Sequence, residues 1–129
     1  MLTENQLERC VAWLESHGSA PIRYLTRVHL QGFNPASPAA RELWFQAQSD
    51  PTGVEIFGKQ RRDGSWCDGG PWAPRPSYVP KDGYTPVSPK YVTTVWLLSL
   101  LGDMGYTVED ERVRSACEWV MGWQRPNGV

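Results

Sequence analysis

The chain has 129 residues, of which 40% are hydrophobic and 21% charged, and its net charge is −1; these are the size and balance of a single globular domain. It has no basic block, which removes the electrostatic footprint of nucleic-acid binding, and no apolar run of about 18 residues, which removes a membrane span. Three cysteines at wide spacings, Cys10, Cys67 and Cys117, argue against a disulfide framework and for a reducing, cytoplasmic setting. The opening MLTENQLERC lacks a charged n-region and an apolar h-region, so no signal peptide is expected.

In chain order, Thr3 and Gln6 form a capping-box pattern. Leu7, Cys10, Val11 and Leu14 then follow at i, i+3, i+4 and i+7 and predict a helix that ends near Gly18. Ser19 and Pro21 predict a second helix with Ile22, Leu25 and Val28 on one side, stopping at Gly32. Ser37-Pro38, an N-cap with proline at the first helical position, opens a third. Asp50-Pro51 opens a fourth that reaches Gln60. Residues 67–87 hold Trp72, Tyr78 and Tyr84 among prolines and glycines and keep no period; a loop of about twenty residues suggests a role. Ser88-Pro89 repeats the start signal ahead of KYVTTVWLLSLLG, which predicts a helix over 89–101, apolar on most sides. Thr107 is expected to cap the last helix, with Val113, Ala116, Cys117 and Val120 on its inner face.

Two stretches then match each other. A Ser-Pro helix, a short turn and a second helix lead to Gln60-Arg61-Arg62-Asp63-Gly64 in one, and to Gln124-Arg125-Pro126-Asn127-Gly128 in the other. The repeat units are about 37–66 and 88–129, within one domain of 1–129. Repeated helix pairs signal a stacked or ring-like α architecture.

The residues Ile56-x-x-x-Gln60-x-x-x-Gly64-Ser65-Trp66 and Trp119-Val120-x-x-x-Gln124-x-x-x-Gly128 resemble the QW motif of squalene and terpene cyclases, whose α/α toroid is shared with the protein prenyltransferases. The first copy departs from the pattern in having Glu55 where an aromatic belongs, and the second has Val120 for leucine. The resemblance implies an all-α, toroid-like array of about six helices, half of a full ring. It also implies that Ile56, Gln60, Asp63, Gly64, Trp66, Trp119, Gln124 and Gly128 are structural. In that reading Gln60 bonds backbone groups left open at helix ends. Asp63-Gly64 makes the turn, and the Trp66 ring covers the glutamine amide.

No catalytic set accompanies the motif. The cyclases' Asp-x-Asp-Asp is missing. The prenyltransferases' zinc ligands have no counterpart either, since the two histidines, His17 and His29, precede the repeat. Cys67-Asp68 lacks a histidine partner, and Asp63 to Asp68 lacks the alternation of a calcium loop. No metal or cofactor is expected. The expected role is a non-catalytic structural or hydrophobic-ligand-binding module for an isoprenoid-like molecule, with Trp72, Tyr78 and Tyr84 as ligand or partner contacts. The expected partners are a second copy of the chain or further C-terminal repeats, because the sequence stops inside its second motif. Two rivals are the front part of a cyclase or prenyltransferase whose catalytic residues lie past residue 129, and a carbohydrate-active α/α barrel that uses Trp66 and Trp72 as sugar platforms with Asp63 or Asp68 as acid.

Overall fold

The computed structural model describes residues 1–67, 69–72, 93–124 and 126. These form six α-helices and one π-helix, with no strand among the described residues. The chain divides into two compact units, Met1–Val54 and Glu55–Val129. The division falls inside the fourth helix, and so inside the first expected repeat.

In the first unit, α1 (Glu4–His17) starts on the expected capping box, with both reciprocal bonds formed: Gln6 N donates to Thr3 Oγ1 (3.2 Å) and Thr3 N to Gln6 Oε1 (2.8 Å). None of its residues is fully buried, so the Leu7, Cys10, Val11, Leu14 stripe is not a core face. The expected second helix is two elements. Regular α2 (Ala20–Leu25) gives way to a π-helix over Thr26–Leu30. The wider turn shows in the bond from Gln31 N to Thr26 O, five residues back. Thr26 is buried, and its hydroxyl donates to Ile22 O at 2.8 Å, a local side-chain bond that competes with the regular ladder. Such widened turns are rare and recur at functional sites.

α3 (Pro38–Gln48) begins as expected, with Ser37 Oγ accepting from Ala40 N. Its buried residues, Ala40 and Ala47, are seven apart and so share one face. α2 is its main neighbour, with Tyr24 and Trp44 packed at 4.9 Å between ring centroids. α4 (Pro51–Gly58) ends two residues before Gln60, which leaves the glutamine free to turn away from the helix.

The second unit holds the rest of the core: Ile56, Trp66, Cys67, Leu97, Leu101, Tyr106, Val113 and Ala116. α5 (Thr94–Asp103) does not continue back to residue 89. Thr93 is extended (φ −84°, ψ 156°) and its hydroxyl accepts from Trp96 N, so the helix starts at Thr94. The Ser88-Pro89 signal itself lies outside the described residues. α6 (Glu111–Met121) packs on α5. Its cap is Asp110, which accepts from Arg112 N, rather than the expected Thr107. Thr107 instead stabilises the preceding turn by accepting from Glu109 N. A carboxylate at an N-cap also gains from the helix dipole, which a threonine does not.

Candidate functional site

The segment from Gln60 to Cys67 joins α4 to the rest of the second unit. Its backbone closes on itself through Gly64 N to Arg61 O (3.0 Å) and Arg61 N to Ser65 O (2.8 Å). Asp63 Oδ1 accepts from both Ser65 N (2.9 Å) and Ser65 Oγ (2.6 Å), an Asx-type turn. Those two bonds, the hydroxyl's above all, hold the Asp63 carboxyl below its ordinary pKa. Gly64 has φ +94°, and a Cβ there would come within 2.7 Å of the Ser115 backbone, so the turn lies directly against α6.

Trp66 is 2% exposed. Its indole N–H donates to Ile56 O at 2.7 Å. Ile56 lies in the last turn of α4, and its carbonyl also accepts from Lys59 N at 3.1 Å, so the indole takes the second lone pair. The tryptophan therefore anchors the turn to the last turn of α4 without filling an open helix end. The backbone N–H of Trp66 donates to the buried Thr94 Oγ1 at 3.0 Å, at the first residue of α5. Cys67 Sγ lies 3.1 Å from the same hydroxyl. Val95 N, another open donor of α5, bonds Pro71 O.

Gln60 donates from one amide nitrogen to Gly64 O (3.0 Å) and to Arg112 O (2.9 Å). Arg112 O lies in the first turn of α6, where carbonyls already accept helical bonds, so the glutamine uses a remaining lone pair and fills no open helix end. Gln60, Gly64 and Trp66 thus tie one short turn to α4, α5 and α6. Beside it, the Arg112 guanidinium sits 3.7 Å from the Phe57 ring centroid and pairs with Asp110 through two bonds (3.1 and 2.8 Å). Phe57 meets Tyr106 edge-on at 5.0 Å. The Arg112 hydrogen bond, first among the causes, holds the Asp110 carboxyl below its ordinary pKa, and the pairing raises that of Arg112.

The buried polar groups of this cluster are satisfied within it. Ser65 is fully buried and its hydroxyl is committed to Asp63, with Cys67 O 3.3 Å away. Every buried side-chain nitrogen and oxygen among the described residues has a partner. Among the described residues no three of His, Cys, Asp and Glu are placed to hold a metal. His17 is stacked on Trp13 in α1, and exposed His29 lies in the π-helix. The three thiols are free: Cys10 exposed, Cys117 half-buried and Cys67 buried. Burial also removes Trp66 from any role as a sugar platform.

The second motif copy is described only as far as Gln124 and at Pro126. Trp119 is half-buried and tilts against Trp123 at 5.8 Å, and Trp123 is 51% exposed. Gln124 is exposed, and its side chain makes no hydrogen bond among the described residues. Gly128, Tyr78, Tyr84 and Asp68 lie outside the described residues. Trp72 is 61% exposed, open to a ligand or partner.

Sequence reasoning found Gln60, Asp63, Gly64 and Trp66 but missed Thr94, Arg112 and Ser115. These offer only backbone or hydroxyl partners from remote helices, and no local pattern marks them. Comparison with known proteins returns no matching family, no similar curated protein and no similar solved structure. No helix among the described residues is long and apolar enough to cross a membrane.

Proposed function

We propose that the chain is a non-catalytic helical-repeat module of the squalene-cyclase and prenyltransferase type, in which the Gln60–Trp66 turn is a structural fastener and an isoprenoid-like ligand is bound elsewhere on the helices. The observation that supports this reading best is the burial of Trp66, with its indole N–H on Ile56 O, inside a turn whose polar groups bond each other and the adjoining helices. A turn organised in this way has its buried polar groups committed to holding the helices together. The exposed Trp72 and Trp123 are the aromatic surfaces such a module offers to a ligand, to a second copy or to further repeats. Incubation with farnesol and farnesyl diphosphate, followed by tryptophan fluorescence and product analysis, tests the reading. Saturable quenching without product is the expected result. Product formation by the purified chain overturns the non-catalytic assignment, and the lack of any saturable response overturns the ligand.

A further inference from the structure

A second feature lies in the first unit, away from the turn. A groove of about 390 Å³ opens between α1 and the end of the π-helix. Leu7 and Val11 of α1 and Leu30 of the π-helix give it an apolar wall, and Glu8, Glu15 and Gln31 border it. Two independent facts mark it. Leu7 and Val11 belong to the α1 stripe, none of which is fully buried, and one of its walls is the single π-helix among the described residues. Its volume falls at the small end of ligand pockets, which run from about 300 Å³. That is space for a small molecule rather than for a protein partner, whose footprint covers about 800 Å² per side.

The charges decide what kind of molecule. Glu15 is taken by Arg27 through two parallel bonds, Nε to Oε1 at 2.7 Å and Nη2 to Oε2 at 3.0 Å. Arg27 also lies over the Phe33 ring at 5.3 Å, so its positive charge is already committed and is poorly placed to attract an anion. Glu8 has no ion-pair or hydrogen-bond partner among the described residues. The uncommitted charge of the groove is therefore a single carboxylate beside an apolar wall.

We propose that this groove binds a small aliphatic amine in its protonated form, with the hydrocarbon chain on Leu7, Val11 and Leu30 and the ammonium on Glu8. The inference does not depend on the helical-repeat reading above, because none of its residues belongs to the expected repeat. Octylamine, 1-octanol and octanoate, titrated separately at pH 7 into the full chain and followed by amide NMR shifts, test it. Octylammonium should shift residues 7–15 and 30–31 saturably and bind about two- to fivefold more tightly than octanol, the advantage of one exposed ion pair. Octanoate should bind most weakly. Glu8→Gln should bring the amine down to the level of the alcohol, and Leu30→Ser should weaken both alike. The proposal is overturned if octylamine gives no saturable shifts in these residues, if octanoate binds as tightly as the amine, or if Glu8→Gln leaves the preference for the amine intact.

Discussion

Gly64→Ala is the most direct probe of the fastener, because the structure separates its costs. At φ +94° a Cβ is strained, by about 1–2 kcal/mol for the left-handed region. The same Cβ would stand 2.7 Å from the carbonyl carbon and oxygen of Ser115, and backbone in a packed helix does not yield as a side-chain tip does. Overpacking of this kind adds about 1–3 kcal/mol. Alanine also restricts the unfolded chain, which returns about 0.4–1 kcal/mol. The net expectation is a loss of about 2–4 kcal/mol, read as a lower urea midpoint at unchanged slope. Gly32→Ala is the matched control. Gly32 has φ +69° but nothing within 4 Å of its Cβ position, so that variant bears the backbone strain alone and should lose about 1 kcal/mol. Gly102→Ala, inside α5 with nothing within 4 Å, should gain about 0.5–1 kcal/mol. If Gly64→Ala costs no more than Gly32→Ala, the turn does not press on α6 and the fastener is misassigned.

Gln60→Ala should cost about 1–3 kcal/mol for its two hydrogen bonds, whereas Gln124→Ala should stay within about 0.5 kcal/mol because that side chain is exposed; equal losses in urea melts would contradict the difference between the two copies. Trp66→Ala should cost about 3–5 kcal/mol as a large buried aromatic, and Trp66→Phe should recover part of this while leaving the indole bond to Ile56 unmade; a loss below about 1 kcal/mol for alanine would place Trp66 at the surface. Asp110 has a depressed carboxyl pKa when folded, so its contribution is present above the unfolded carboxyl range, near 3.9, and is lost as pH falls through the folded value; Asp110→Asn should flatten the acid limb of a stability–pH curve, and an unchanged limb would refute the assignment. A thiol reagent should modify Cys10 at once, Cys117 more slowly and Cys67 only on unfolding; rapid modification of all three would contradict the burial of Cys67.

Much of the helical layout was legible because it is written locally. The Thr3/Gln6 box, Ser37-Pro38 and Asp50-Pro51 each satisfy a helix start within four residues, and all three hold. Boundaries failed where competing signals lay close together. Thr107 and Asp110 are both good caps, and the carboxylate with Arg112 two residues on prevails. The α1 stripe gave its helix and its Gly18 stop as expected, but periodicity shows only that a helix has an apolar face and does not show that anything packs on it. The π-helix had no signal to read: the Thr26 hydroxyl bonds Ile22 O where it begins, and residue spacing does not mark such a bond.

The candidate site was half legible in the same sense. Spacing marked Gln60, Gly64 and Trp66 as a set, yet neither side chain fills an open helix end: the indole shares Ile56 O with Lys59 N, and the amide reaches α6. A hydrogen-bonding side chain can be identified from sequence, but its partner is chosen by where the chain folds back, and here the partners lie ten residues upstream and some fifty downstream. This also accounts for a tryptophan in a turn of small polar residues. A smaller side chain could close the turn, since Asp63 and Gly64 already do that work. Only a long, rigid, largely apolar side chain with a donor near its far end can fill the core of this unit and reach the last turn of α4 at once. In the second copy Arg125 and residues 127–129 lie outside the described residues. The fastening is therefore described for the turn at 60–67.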